Sequence, residues 1–300
     1  MSLELHGVPI VDTFAEAFGI TGTRLIITAD SPRWAETAAQ VLCGYATSVI
    51  ACDMEAGIER AIPASESPDG RPGVSVLAFA FSRDALAQAL QSRVGQCVLT
   101  APTTACFNGI ADAARDKMIS VGGGIRFFGD GYQFAKKIDA QRFWRIPVMD
   151  GEFLCEEKFG TVKGVAGGNL LICGTSTATA LQAAESAVDA MRTVPNVIMP
   201  FPGGIVRSGS KVGSQYKKLK ASTNDAYCPT LRGIVESALP EGCGAVYEIV
   251  IDGLDAESVQ AAMRAGLHAA VTQPDILQIT AGNYGGKLGK HHFYLKDLLS

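Results

Sequence analysis

Apolar and polar positions along the first half of the chain predict strands and helices in a mixed order. Short apolar runs are typical of strands, whereas apolar residues three and four positions apart are typical of one helix face. Serine is a residue type at which helices commonly begin, and proline is favoured in the first helical position. Helix starts are therefore predicted at Ser31, which Pro32 follows, and at Ser82. The predicted elements, in order, are a strand at 24–28, a helix capped by Ser31, a strand at 47–52, a strand at 74–81, a helix from Ser82 to about residue 93, and a strand at 97–101.

The second half predicts the same order. Two helices, at 176–192 and after Asp255, each carry an apolar stripe at helical spacing. The predicted elements are a strand at 169–173, the helix at 176–192, strands at 196–201 and 245–251, the helix opened by Asp255, and a strand at 276–281. The closing segments are also alike, since CVLTAP at 97–102 corresponds to LQITAG at 277–282.

Two runs of β-α-β-β-α-β order predict an α+β fold made of two ferredoxin-like lobes. The repeated order favours an internal duplication, and coincidence is the alternative. We expect an N-terminal lobe with a linker segment at residues 1–150, and a C-terminal lobe with long binding loops at 151–300. Alternation at 142–148 predicts extra strands in the segment that joins the two copies.

Composition excludes several classes of protein. Apolar residues make up 47% of the 300 residues and charged residues 19%, so the chain can build a core and is not of the disordered type. A net charge of −4 without a basic, aromatic-interleaved stripe argues against nucleic-acid binding. The longest apolar runs are far shorter than the about 18 residues of a membrane span, and no signal-peptide pattern opens the sequence. We therefore expect a cytoplasmic protein without membrane association.

The motifs give no support to metal or nucleotide sites. The eight cysteines include no C-x-x-C pair, and the four histidines show no H-x-x-x-H spacing, so we expect no bound metal. The glycine spacings of phosphate-binding and dinucleotide-binding loops are absent as well. Cys228 is a candidate nucleophile, but no motif links a histidine to it, and a packing role is the alternative.

Three loops of the second half are candidates for a binding site. They lie at 201–214, 221–230 and 279–290, and their glycines permit close backbone approach to a ligand. Ordinary turns are the alternative for each loop taken alone. Basic residues in and after the first loop suit either an anionic ligand or a solvated surface. This basic cluster consists of Arg207, Lys211, Lys217, Lys218 and Lys220.

Glu248 is the candidate acid. It lies in a predicted strand and shares one strand face with Val246 and Val250, because side chains alternate along a strand. Apolar neighbours would raise the pKa of its carboxyl, which could then donate a proton or a hydrogen bond to a developing oxyanion. An edge-strand glutamate that points to water is the alternative from the residues alone.

Several long and unusual segments, spread from residue 12 to the C-terminal end, carry a resemblance to a known family. They are DTFAEAFG (12–19), TSVIAC (47–52), EAGIE (55–59), PDGRPGV (68–74), GQCVLTAPT (95–103), FFGDGYQ (127–133), GVAGGN (164–169), LQAAESAVDA (181–190), FPGGIV (201–206), STNDAYCPT (222–230), VYEIVI (246–251) and AGNYGGKLG (281–289). In these segments the chain resembles the formylmethanofuran–tetrahydromethanopterin formyltransferase family.

The resemblance implies a formyl transfer through a tetrahedral intermediate, with a methanofuran-type amine and tetrahydromethanopterin as substrates and no tightly bound cofactor. It implies a homodimer or homotetramer, with active sites where subunits meet. Glu248 matches the family's strand acid and becomes the expected catalytic residue. On the same resemblance, substrate contacts are expected from Phe201, Pro202, Gly203, Gly204, Arg207, Lys211, Ser222, Thr223, Asn224, Asp225, Tyr227, Asn283, Gly285, Gly286 and Lys287.

The chain departs from the family pattern in its mild acidity and in the segments 108–124 and 231–244. These departures favour a bacterial, methylotroph-type member that works with formyl-hydrolase subunits in formaldehyde oxidation to formate. One alternative is a non-catalytic subunit of such a complex, although the substrate loops keep the family's residues. A formyl hydrolase acting through an activated water is the second alternative, and it would favour a metal-ligand cluster or a Cys/His pair.

Overall fold

The structure is a computed structural model that describes residues 3–138 and 141–300. It is a mixed α+β protein. The strands are β1 (Leu3–Leu5), β2 (Val8–Ile10), β3 (Phe14–Thr28), β4 (Glu55–Ile62), β5 (Gly73–Ala80), β6 (Ala105–Asn108), β7 (Met118–Ser120), β8 (Phe134–Ile138), β9 (Gln141–Val148), β10 (Gly151–Glu156), β11 (Lys158–Gly160), β12 (Val162–Gly174), β13 (Val197–Ile198), β14 (Lys211–Val212), β15 (Ala221–Ser222), β16 (Ala245–Gly253), β17 (Ile276–Thr280) and β18 (His291–Tyr294). The α-helices are α1 (Pro32–Cys43), α2 (Arg83–Arg93), α3 (Gly122–Ile125), α4 (Thr177–Met191) and α5 (Ala256–Ala270).

The described chain packs into two compact units, each with its own apolar core. One unit is Ile20–Gly164, and the other combines residues 3–19 with Val165–Ser300. Residues 3–19 belong with the C-terminal residues because β2 pairs with β17, and the start of β3 pairs with β18. The lobes expected at 1–150 and 151–300 follow the order of the chain rather than this grouping by packing, and they stay a prediction.

The unit Ile20–Gly164 is built on a sheet in the order β4-β5-β3-β6-β10-β9-β8. β3 runs antiparallel to both β5 and β6, while β6 and β10 are parallel. Buried residues of α1 and α2 join the sheet residues in one core cluster. The extra strands expected at 142–148 are confirmed by β9 and its antiparallel partners β8 and β10.

Two strand predictions in this unit are wrong, and the first is the strand expected at 47–52. Residues 47–52 form turns, in which the N–H groups of Ala51 and Cys52 donate to the Ser48 carbonyl. The strand of this region is β4, which follows shortly afterwards and in which Glu59 and Arg60 interrupt the apolar residues. A search for continuous apolar runs passes over such a half-buried strand.

The prediction of a strand at 97–101 is also wrong. Residues Val94–Val98 continue α2 as a π-helical turn, and the Leu99 N–H donates to the Val94 carbonyl at 2.9 Å. The fourth strand of this run is β6, a few residues later. The apolar residues at 97–101 therefore face the core from a helix end, which periodicity cannot distinguish from a short buried strand.

The second unit carries a sheet in the order β13-β16-β12-β17-β2-β1. α4 and α5 pack on each other and on β16. β12 and β16 pair antiparallel, with a bulge between Ala166 and Gly168, and this register places Leu171 opposite Glu248. The helices expected at 176–192 and after Asp255 are confirmed, whereas the strand expected at 196–201 is reduced to the two residues of β13.

Long connections leave this sheet at two places. The chain between β13 and β16 holds the short hairpin of β14 and β15 and three single 3-10 turns, and residues 281–290 connect β17 with β18. These connections contain the three loops selected from the sequence. No helix in the described ranges 3–138 and 141–300 has the length and apolar content to cross a membrane.

The helix caps give a test of the local structure. The Ser82 hydroxyl oxygen accepts a hydrogen bond from the Ala85 N–H at 3.2 Å, whereas Ser31, at the start of α1, makes no side-chain cap bond, contrary to expectation. We expect Ser82→Ala to lower the free energy of unfolding by about 1 kcal/mol, measured by urea denaturation with circular dichroism. Ser31→Ala is the matched control and should change it by less than about 0.5 kcal/mol. Equal losses would contradict the capping assignment.

Candidate active site

Glu248 lies inside the sheet of the second unit and is 5% exposed. On one side of it β16 pairs with β12, and on the other side the backbone of Val206 forms an isolated bridge. The Val206 N–H donates to the Glu248 carbonyl at 2.7 Å, and the Glu248 N–H donates back at 3.2 Å. The alternative of an edge-strand glutamate that points to water does not hold, because both edges of β16 are occupied here.

The Glu248 carboxyl is desolvated and has few donors. Burial raises its pKa to about 6, although the Ser210 hydroxyl and backbone N–H, which donate to it, act in the opposite direction. The hydroxyl bonds to Oε1. Oε2 is buried and has no hydrogen-bond partner among the described residues. A carboxyl in this state can take up a proton near neutral pH and present it from Oε2.

A small cavity of about 40 Å³ lies beside Glu248. Both the loop after Phe201 and the loop at 221–230 contribute to its wall. The lining residues are Leu171, Val206, Arg207, Ser208, Gly209, Thr223, Asn224, Tyr227, Cys228, Val246 and Glu248. The structure thus brings the expected acid together with four of the expected contact residues, namely Arg207, Thr223, Asn224 and Tyr227.

A second and larger cavity of about 670 Å³ shares Val206, Arg207 and Ser208 with the small one. Phe201, Pro202 and Gly203 line it. Its volume falls in the range of about 300–1,000 Å³ that is usual for small-molecule sites. Gly204, the next residue, has φ 89, and a Cβ there would lie 2.8 Å from the Val188 side chain, so glycine permits close packing of the loop on α4.

Two further expected residues bind each other. The Lys211 ammonium donates to the Asp225 carboxylate at 2.6 Å, and this bond holds the pKa of Asp225 below its usual value. The pair joins the first loop to the second. Ser222 strengthens the same connection, because its hydroxyl donates to the Gly213 carbonyl at 2.7 Å. Lys217, Lys218 and Lys220 are exposed.

The third loop is held by residues that the sequence reasoning missed. The Asn283 amide donates to Thr13 Oγ1 at 3.0 Å and to the Phe14 carbonyl at 3.2 Å, which ties the loop to the start of β3. Lys287 is exposed. Gly285 and Gly286 have φ values of 70 and 72, a conformation that favours glycine and lets the chain curl.

Three missed residues connect this loop with Glu248. Glu16 accepts backbone N–H groups from the loop, Tyr284 bonds to the Ser210 and Val212 backbone, and Ser210 donates to Glu248. A signal for Glu16 was present, because it lies between Ala15 and Ala17 in an apolar strand, as Glu248 lies between apolar neighbours. No pattern in the sequence indicates Ser210 or Tyr284.

Cys228 shows no arrangement for nucleophilic catalysis. Its thiol lies 3.2 Å from Thr223 Oγ1 and donates to the Asn224 carbonyl at 3.3 Å, which are contacts within its own turn. In the part of the chain that the structure describes, three or more His, Cys, Asp or Glu residues do not come together in a way that could hold a metal ion.

Comparison with known proteins gives a consistent result along the chain. The family model "Formylmethanofuran-tetrahydromethanopterin formyltransferase" matches residues 3–148, and the model "FTR, proximal lobe" matches residues 151–298. The formylmethanofuran–tetrahydromethanopterin formyltransferase of Methylobacillus flagellatus is 56% identical over 300 residues, covering 99% of each chain. One subunit of the formyltransferase/hydrolase complex of Methylorubrum extorquens is 54% identical, covering 98% of this chain and 97% of that one.

Solved structures agree with these matches. The Methanosarcina barkeri formyltransferase superimposes with a TM-score of 0.92 at 52% identity, covering 99% of this chain and 100% of that one. A chain of the Methylorubrum extorquens formyltransferase/hydrolase complex with methylofuran gives a TM-score of 0.96 at 53% identity, covering 100% of this chain and 99% of that one. This chain therefore belongs to the formylmethanofuran–tetrahydromethanopterin formyltransferase family.

Proposed function

We propose that this chain moves a formyl group between a methanofuran-type amine and tetrahydromethanopterin by direct attack through a tetrahedral intermediate, with Glu248 as the acid. The observation that carries the proposal is the buried Glu248 carboxyl, whose Oε2 has no partner in the described residues and which lines a small cavity. Relatives that share about half of the residues over nearly the whole chain carry this activity in their names.

The reaction needs a group that stabilises a developing oxyanion. The attacking amine forms a C–N bond to the formyl carbon, and the carbonyl oxygen gains the negative charge. A Glu248 carboxyl protonated on Oε2 donates a hydrogen bond or its proton to that oxygen. When the other C–N bond breaks, the oxygen returns to a carbonyl, Glu248 recovers its proton, and the proton of the attacking amine passes to the leaving amine.

The pKa of about 6 makes this role possible near neutral pH. At pH 7 about a tenth of such a carboxyl is protonated, compared with well under a hundredth at the usual pKa of a glutamate. A substrate that covers the cavity excludes water from the carboxyl and shifts it further towards the protonated form.

The two cavities suggest how the carriers are held. The small cavity takes the reacting formyl group, and the larger one takes part of a carrier, with Arg207 on the shared wall. Exposed Lys217, Lys218 and Lys220 suit anionic groups of a carrier. We assign substrate contacts most directly to Phe201, Pro202, Gly203, Arg207, Thr223, Asn224 and Tyr227, while Gly204, Lys211, Ser222, Asp225, Asn283, Gly285, Gly286 and Lys287 shape or border the loops.

The architecture supports a duplicated origin as part of the proposal. In each unit a strand-helix-strand-strand-helix-strand run is present, and the corresponding sheet segments are β4-β5-β3-β6 and β13-β16-β12-β17. The two orders match strand for strand, and every neighbouring pair in both is antiparallel. Two ferredoxin-like lobes that arose by internal duplication account for this match.

The proposed setting is cytoplasmic formaldehyde oxidation to formate. One relative is a subunit of a formyltransferase/hydrolase complex, which supports formyl-hydrolase subunits as partners of this chain. A homodimer or homotetramer is the assembly expected from the family. The alternative of a non-catalytic subunit is disfavoured, because the buried acid and both cavities are present.

The proposal is tested by formyl exchange. Purified protein, alone and with candidate hydrolase subunits, is mixed with formyl-tetrahydromethanopterin and a methanofuran-type amine, and the formyl-amine is followed by mass. We expect Glu248→Gln to reduce transfer about 100-fold, because one oxyanion donor or general acid is lost. Glu257→Gln, on the exposed face of α5, is the matched control and should keep wild-type transfer. Undiminished transfer by Glu248→Gln would remove the catalytic assignment.

The pH dependence follows from the raised pKa. The active form of Glu248 is the protonated one, so kcat/KM should fall as pH rises through about 6. The measurement is a pH profile of kcat/KM from pH 5 to 8, compared between wild type and Glu248→Gln. The profile of Glu248→Gln should lack this decrease of kcat/KM above pH 6. A wild-type kcat/KM that increases over the same range would assign the residue to base rather than acid catalysis.

A further inference from the structure

We propose that Glu16 and Tyr284 are positioning residues that hold the Ser210 hydroxyl against Glu248, so that the acidic proton of Glu248 resides on Oε2; this assignment rests on the proposed function. Neither Glu16 nor Tyr284 touches Glu248 in a hydrogen bond. They act through a chain of contacts that runs from Glu16 through the loop 281–290 and Ser210 to the acid.

Glu16 is the fixed end of this chain of contacts. Its carboxylate is 1% exposed and accepts four backbone N–H groups of the loop. Oε2 accepts from Tyr284 at 2.6 Å and from Gly286 at 2.9 Å. Oε1 accepts from Leu288 and from Gly289, both at 2.6 Å. One side chain therefore fixes most of a loop that has no regular secondary structure.

The charge on Glu16 is permanent over the working pH range. Burial alone would raise the pKa of this carboxyl, but the four N–H donors outweigh burial and lower the pKa to about 2. The loop can wrap so tightly because Gly289 has no side chain, since a Cβ there would lie 2.3 Å from the Ala17 carbonyl. The anchor thus neither titrates with Glu248 nor moves with the pH.

Tyr284 transmits the position of the loop to the strand region beside the acid. Its phenol donates to the Ser210 carbonyl at 3.2 Å and accepts from the Val212 N–H at 3.1 Å. These two bonds hold the backbone on both sides of Lys211. Burial raises the pKa of the Tyr284 hydroxyl, so it keeps its proton and stays a donor.

Ser210 is the contact between this arrangement and the acid. Its hydroxyl donates to Glu248 Oε1, and its backbone N–H also bonds to the carboxyl. Because Oε1 already accepts a hydrogen bond, the proton of the neutral acid is placed on Oε2, the oxygen without a partner in the described residues. The same bond stabilises the charged form, so loss of it should leave Glu248 a weaker acid.

The test is a double-mutant cycle of Ser210→Ala, Tyr284→Phe and the double variant. The readout is the titration midpoint of the Glu248 carboxyl, followed by isotope-edited infrared spectroscopy as the difference from Glu248→Gln. Since this readout does not depend on turnover, failure of the positioning role and failure of the proposed function are distinguishable. The pH limb of kcat/KM is recorded in parallel.

We expect Ser210→Ala to raise the midpoint by about one pH unit, the size expected for losing one hydrogen bond to a charged group. Tyr284→Phe should shift it in the same direction by a smaller amount. The double variant should shift the midpoint by less than the sum of the two single variants, because Tyr284 acts through Ser210. Tyr294→Phe, 39% exposed on β18, is the matched control and should leave the midpoint unchanged.

The proposal is overturned if Tyr284→Phe leaves the midpoint where it is, or if the two single shifts add in the double variant. Glu16→Gln gives a second arm, because an amide NH₂ cannot accept the two N–H bonds on its side. Glu16→Gln protein, once its thermal melt shows that it is folded, should raise the titration midpoint of Glu248 as Tyr284→Phe does. Since Glu16→Gln also weakens the loop, the phenylalanine variant decides the outcome. A midpoint that shifts as expected while Glu248→Gln keeps full transfer would preserve the positioning role and reject the catalytic one.

Discussion

A carboxyl group inside an apolar sheet is stable only if hydrogen-bond donors surround it or if it takes up a proton, and the site in this chain depends on that constraint. Glu16 and Glu248 meet the constraint in opposite ways. Four backbone N–H groups make Glu16 a permanent anion, whereas Ser210 alone leaves Glu248 only partly satisfied. The first carboxylate can therefore serve as an anchor and the second as an acid.

The different fates of the two glutamates come from the loops around them. Glycines at 285, 286 and 289 let the chain curl until successive N–H groups point at Glu16. Around Glu248 the backbone of β16 instead pairs with β12 on one side and with Val206 on the other, so the backbone N–H groups of this strand are already hydrogen-bonded. Since the other backbone donors near Glu248 are already engaged, the carboxyl depends on Ser210 alone, through its hydroxyl and its backbone N–H. The backbone arrangement thereby sets the acidity of each residue.

Sequence reasoning predicted the four long helices, α1, α2, α4 and α5, and the central strands β3, β5, β12, β16 and β17, because their apolar periodicity is local information. It also placed Glu248 on a strand face with apolar neighbours, which the burial of the residue confirms. The strand β4 was missed because charged residues interrupt its apolar ones, and 97–101 was assigned to a strand because a helix end has the same local composition. Glu16 could not be assigned as an anchor, since its partners lie about 270 residues away and only the fold brings them near.

The cavity beside Glu248 has a consequence for the choice of acyl group. With a volume of about 40 Å³, it accommodates the few atoms of a formyl group, in which the carbonyl carbon carries only hydrogen. We expect an acetyl group, which is larger by one carbon, to fit less well in a cavity of this size lined by Leu171 and Val246. Overfilling a packed space by one carbon typically costs about 1–3 kcal/mol, which corresponds to roughly a 10- to 200-fold preference between two substrates. Steric exclusion at the acid would thus keep larger acyl groups from entering a one-carbon reaction.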